Sequence, residues 1–99
     1  MKINTQSVHF DADVKLLEFL EKKVSKLDQF CDTIVNADVI LKLEKTGQVQ
    51  DKIAEIIINV PGSVLVAKES CKTFEESIDL CIEALKRQVL KYKERLREG

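Results

Sequence analysis

The feature that most limits what this chain can fold into is a change of hydrophobic period, from helical to strand-like and back again. Val14, Leu17, Leu20, Val24, Leu27 and Cys31 recur every three or four residues and draw one apolar stripe along a helix. From Val35 the spacing falls to two: Val35, Ala37, Val39, Leu41 and Leu43 point one way, and Asn36, Asp38, Lys42 and Glu44 the other. Ala54, Ile56, Ile58 and Val60 repeat that alternation, and Phe74, Ile78, Cys81, Leu85, Val89, Tyr92 and Leu96 restore the helical spacing. Each element therefore has one face to bury, and helices and strands with one such face pack in two layers.

The punctuation sets the boundaries. Lys2 to Phe10 reads as a first strand with Ile3, Thr5, Ser7 and His9 on one side. Asp11 is placed to cap a helix from about Ala12 to Phe30, accepting from the unpaired N–H groups of its first turn. A strand from Ile34 to Lys45, a turn over Thr46–Gln50 and a strand from Ile53 to Val60 follow. Pro61-Gly62 suits the centre of a type II turn, Pro for its fixed φ and Gly for a positive one, and leads into a hairpin partner from Ser63 to Glu69. Thr73 and Glu76 fit a capping box at the start of a helix that runs to about Arg97. The order is βαβββα: one α+β domain over residues 1–99, a two-layer sandwich with a four-stranded mixed sheet and two helices packed on one face. The first two strands are expected to be parallel and the later ones antiparallel.

Composition removes several functional classes. The chain has 99 residues, 44% hydrophobic and 33% charged, too small for a two-domain enzyme and too apolar for disorder. No apolar run approaches the ~20 residues of a membrane-spanning helix, and the N-terminus has no basic-then-apolar leader, so a cytoplasmic protein without membrane contact is expected. Three cysteines, Cys31, Cys71 and Cys81, lack C-x-x-C spacing and have only His9 as a nitrogen co-ligand, so they read as small apolar side chains. His9 alone, in a strand, is a thin basis for nucleophilic catalysis. Gly47, Gly62 and Gly99 are isolated, so no phosphate-cradling loop exists. Glu18/Glu21 and Glu75/Glu76 fall on polar helix faces. The expectation is a non-enzyme with no cofactor, metal or small-molecule substrate.

The placement of charge is more informative than its net value of −1. Between Lys86 and Arg97 stand six bases, Lys86, Arg87, Lys91, Lys93, Arg95 and Arg97, against the single acid Glu94, a local +5 that leaves −6 for all other residues. On a helical wheel Arg87, Lys91 and Arg95 form one ridge, and Lys86, Lys93 and Arg97 a second beside the apolar stripe. Helix one repeats the segregation, with Lys15, Lys22, Lys23 and Lys26 on one flank and Glu18, Glu21 and Asp28 on the other. Packed side by side, the two basic flanks would border a common groove fit for a phosphate backbone. Acids early and bases late in a helix are also what the helix dipole favours, so the pattern alone leaves both readings open. Phe10, Phe19, Phe30, Phe74 and Tyr92 are scattered on or near core stripes and form no stacking platform.

Four stretches stand in a telling order and spacing: Glu18-Phe19, Lys23, Lys26-Leu27 and Gln29; Val39 through Lys45; Asn59 through Ala67; and Ile78-Asp79 through Leu85 with Arg87-Gln88, Lys91 and Lys93. Through them the chain resembles the short form of the ribosome hibernation promoting factor family, also called ribosome-associated inhibitors or ribosomal subunit interface proteins. The resemblance implies a monomer likened to double-stranded RNA-binding domains that binds 16S rRNA of the small ribosomal subunit. Its seat would be the channel for tRNA and mRNA, where it inhibits translation and promotes hibernation in stationary phase or stress. Residue by residue, it implies rRNA contacts at Lys23, Lys26, Arg87, Lys91 and Arg95, to which the wheel adds Lys86, Lys93 and Arg97. Ala84 stands where the family often has a base, and Lys72 where an acid is usual. Long members add a C-terminal domain that pairs ribosomes, which these 99 residues lack.

Two other classes fit the residues. One is a generic module, similar to a double-stranded RNA binder, acting off the ribosome. The other is a protein-interaction module using an apolar patch of Ile40, Ile53, Ile57 and Leu65 on the outer sheet face.

Overall fold

A computed structural model describes residues 1–46 and 49–98. The elements are β1 (Lys2–Val8), α1 (Val14–Ser25), one 3-10 turn (Lys26–Gln29), β2 (Asn36–Thr46), β3 (Val49–Val60), β4 (Ser63–Cys71) and α2 (Phe74–Glu98). The strands lie in the order β1-β2-β3-β4, β1 parallel to β2 and the other pairs antiparallel. The two-layer α+β arrangement expected from the change of period is the one observed.

The core lies between the inward sheet face and the helix stripes. Leu16, Leu20, Val24 and Leu27 from the first helical segment meet Ile78, Cys81, Leu85, Val89 and Tyr92 of α2 over Ala37, Val39, Leu41, Ala54, Ile56 and Ile58. Leu17 is only half-buried, and Leu96, on the predicted stripe, is 57% exposed where α2 runs beyond the sheet.

Several local expectations change. Asp13, not Asp11, caps α1: its Oδ1 accepts from the Leu16 N–H at 2.8 Å. The helix gives way to the 3-10 turn after Ser25, short of Phe30. His9 lies beyond β1 at φ 67°, a left-handed conformation in which a side chain crowds the backbone. Ile3 packs on the core, whereas Thr5 and Ser7 are exposed. Val35 precedes β2 and is also exposed. Thr46, Val49 and Gln50 are strand residues, Gly47 and Gln48 lie outside the described residues, and β4 continues to Cys71. Gly62 has φ +78°, as the type II turn requires. At the start of α2 the Thr73 hydroxyl accepts from the Glu76 N–H at 3.1 Å.

The outer sheet face differs from the expected apolar patch. Leu65 pairs with Ile58 and is 9% exposed on the core side, so it cannot belong to that face. Ile53, opposite Lys42 and Ser70, is 8% exposed, and Ile40 and Ile57 are half-buried. Polar groups occupy much of that face instead: Asn59 Nδ2 donates to Asn36 Oδ1 (2.6 Å) and Asp38 Oδ2 (3.2 Å), and Asn4 Nδ2 donates to Asp38 Oδ1 (3.2 Å). Among the described residues, Val64 and Val66 are its exposed apolar side chains.

Candidate nucleic-acid interface

Four side chains of α2 donate to carbonyls of β3, β4 and the turn between them, and together they fix its rotation. Ser77 Oγ bonds Lys52 O (2.6 Å), Cys81 Sγ bonds Ala54 O (3.3 Å), Gln88 Nε2 bonds Val66 O (2.9 Å), and Tyr92 Oη bonds Pro61 O (2.9 Å). Burial, aided by the negative charge of Glu69, pushes the Cys81 thiol up to about 12, so it stays a neutral donor. A helix held at Ser77, Cys81, Gln88 and Tyr92 presents its charged positions in fixed directions.

Those directions separate the bases into two flanks about 100° or more apart. Lys86 faces α1: its ammonium lies 4.9 Å above the Phe30 ring, and it lines the groove between the helices with Lys23, Lys26, Leu27, Asp79, Ile82 and Glu83. Lys93 continues this flank into a depression shared with Asp28 and Asp32. Lys91 and Arg95 turn the other way, into a depression walled by Ser63, Val64, Leu65, Gln88 and Tyr92, with no acid in its lining. Arg87 is exposed on the same ridge, and the Arg97 side chain lies outside the described residues. Ala84 is half-buried on the β4 side, so Lys86 carries its charge on the opposite flank from a base at position 84.

Lys23, Lys26 and Lys86 thus share the groove anticipated between the helices, while Arg87, Lys91 and Arg95 do not border it. The groove also holds what the sequence reading missed. Lys23 Nζ lies 3.1 Å from Asp79 Oδ1 and 5.4 Å from the centre of the Phe19 ring. Its charge is largely answered from within the molecule. No local spacing signals this pair, because Lys23 and Asp79 come from different helices; the signal is their common flank next to the stripe.

Elsewhere the chemistry is sparse. Among the described residues no three His, Cys, Asp or Glu side chains are grouped to hold a metal ion. The cysteines are free thiols, Cys31 and Cys81 buried and Cys71 half-buried. His9 lines a shallow depression with Lys42, Leu43, Glu44 and Lys45. No helix among the described residues is long and apolar enough to cross a membrane.

A small α+β domain carrying one anchored, cationic half-helix is the class that fold and site define. Residues 3–97 match the family described as Sigma 54 modulation protein / S30EA ribosomal protein, and the chain belongs to that family. It is 33% identical over 95 residues to a ribosome hibernation promoting factor of Azotobacter vinelandii, covering 96% of this chain and 85% of that one. To the ribosome hibernation promoting factor of Klebsiella oxytoca it is 31% identical over 98 residues, 99% of both chains. A ribosomal subunit interface protein from Coxiella burnetii superposes with a TM-score of 0.85 at 28% identity, over 95% of this chain and 99% of that one.

Proposed function

We propose that this protein is a ribosome-associated translation inhibitor that binds the 16S rRNA of the small ribosomal subunit in the tRNA/mRNA channel and promotes hibernation in stationary phase. The observation that carries the reading is the C-terminal half of α2, which carries a local charge of +5 in the sequence and is anchored by bonds from Gln88 to β4 and from Tyr92 to the β3–β4 turn. Arg87, Lys91 and Arg95 supply one ridge that meets phosphates, and Lys86, Lys93, Lys26 and, from the sequence, Arg97 supply a second set on the flank toward α1. The names of the relatives, ribosome hibernation promoting factors and a ribosomal subunit interface protein, support the ribosome as the partner. The mode is occlusion without a chemical step, by a cytoplasmic monomer without cofactor.

Phosphate contacts release counterions, so neutralising about five phosphates gives a log–log salt slope of roughly −3.5 to −4.5. The test is an equilibrium competition between purified small subunits and random-sequence RNA duplex across a salt series. Subunits that retain the protein against excess duplex, with that slope, support the reading. Duplex that competes on equal terms makes the chain a general double-stranded RNA module instead.

A further inference from the structure

Leu80, Leu90 and Leu96 of α2 are 39%, 43% and 57% exposed. A lone surface leucine needs no explanation, so exposure by itself carries nothing. Placement separates the three. Leu80 has acids for neighbours on its helix face, Glu76 four residues before it and Glu83 three after. Leu96 continues the core stripe past the sheet, in the depression that holds Asp28 and Lys93. Leu90 has cations on both sides. With each residue turning the helix by about 100°, it lies about 40° and 60° from Lys86 and Lys93 on the flank toward α1, and about 60° and 100° from Arg87 and Lys91 on the flank toward β4. The crest between the flanks holds Leu90 and, one turn on, Glu94, the single acid of the segment from Lys86 to Arg97.

An apolar and acidic crest between two cationic flanks does not suit an unbroken row of phosphates. Phosphates that meet both flanks belong to two strands bordering a groove, and the crest then faces the groove floor, where riboses and base edges are displayed. We propose that Leu90 is a contact residue for the floor of an RNA groove, packing its methyl groups on ribose and base edges while the cations beside it hold the bordering phosphates. The inference rests on the proposed rRNA-binding reading and adds an apolar contact to it. The RNA groove with a wide, shallow floor is the minor groove of a helix, so the surface addressed is a helical segment. A splayed single strand fits less well, because α2 offers no ring for stacking: its aromatics, Phe74 and Tyr92, are both buried. Glu94 accepts there from 2′-hydroxyl groups, a donor that phosphates do not offer.

The experiment compares the full chain with its Leu90→Ala, Leu90→Met and Leu80→Ala variants. Binding to purified small subunits, and to random-sequence RNA duplex, is measured across a salt series. Leu90→Ala is expected to lower subunit affinity about three- to tenfold, the value of the apolar surface removed. The loss holds at every salt concentration and the log–log slope is unchanged, because a methyl contact releases no counterion. Duplex binding shows the same salt-independent loss, since any RNA helix displays riboses on its groove floor. Leu90→Met keeps most of the affinity, and Leu80→Ala matches wild type. The melting temperature of Leu90→Ala stays near that of wild type, because alanine sustains the helix and the position lies outside the core. Wild-type affinity in Leu90→Ala, an equal loss in Leu80→Ala, or a loss carried by a slope shallower by about one overturns the proposal. If wild type does not bind subunits, the rRNA-binding reading fails by itself, and the duplex arm still decides the role of Leu90.

Discussion

The Lys23 ammonium of α1 lies 3.1 Å from the Asp79 carboxylate of α2, spanning the groove between the two helices. The contact ties the flanks together at a point where each helix has its own packing, Val24 and Leu27 on one side and Ile78 on the other. Because both partners are partly exposed, Lys23→Met is expected to lower unfolding free energy by less than about 1 kcal/mol. Urea denaturation measures it; a loss above about 2 kcal/mol would make the pair a structural brace, contrary to what its solvent exposure predicts.

Tyr92 offers the sharper stability test. Its hydroxyl donates to Pro61 O at 2.9 Å, fastening the cationic half of α2 to the β3–β4 turn. Tyr92→Phe removes that donor and leaves the ring in the core, so a cost of about 0.5–1.5 kcal/mol is expected. Faster amide exchange in the Pro61–Val64 turn should accompany it, and unchanged exchange there would count against the fastening role.

His9 predicts a gain. At φ 67° its side chain crowds the backbone, a conformation glycine adopts freely. His9→Gly is expected to raise stability by about 0.5–1 kcal/mol, the relief of strain exceeding the added freedom of the unfolded chain. A lower melting temperature for the variant would contradict this.

Cys81 fixes an alkaline limb. Its folded pKa, about 12, lies above the ordinary 9.0, chiefly because the thiolate would be desolvated. Below pH 9 both states hold the proton and the shift adds nothing. Between pH 9 and 12 the unfolded thiol ionises while the folded one does not, so stability falls by about 1.4 kcal/mol per pH unit from this group. The difference in stability between wild type and Cys81→Ala should therefore narrow as pH rises from 9 to 10.5; a constant difference would contradict the burial argument.

Much of the fold was legible in the residues because the apolar period changes cleanly at Val35 and again at Phe74. What was not legible was local competition. Asp11 and Asp13 are both competent caps, and only the observed geometry assigns the role to Asp13. Leu65 falls on the core face because the turn at Pro61–Gly62 sets the phase of β4 against β3 and pairs Leu65 with Ile58, a phase that alternation within β4 alone does not fix. The bases of the candidate interface were visible as a cluster, but their division between two flanks, and the acids answering Lys23, follow from how α2 is rotated on the sheet. Ser77, Cys81, Gln88 and Tyr92 set that rotation through contacts 22 to 31 residues distant along the chain.

The central claim is that the Arg87–Lys91–Arg95 ridge binds the small subunit through phosphate contacts. All three residues are exposed and away from the core, so reversing them together to Glu leaves the fold intact by circular dichroism. Cosedimentation of this triple variant with purified small subunits at moderate salt is the most direct test. Loss of the protein from the subunit fraction is the predicted result, and a folded variant that sediments with subunits as wild type does would contradict the claim.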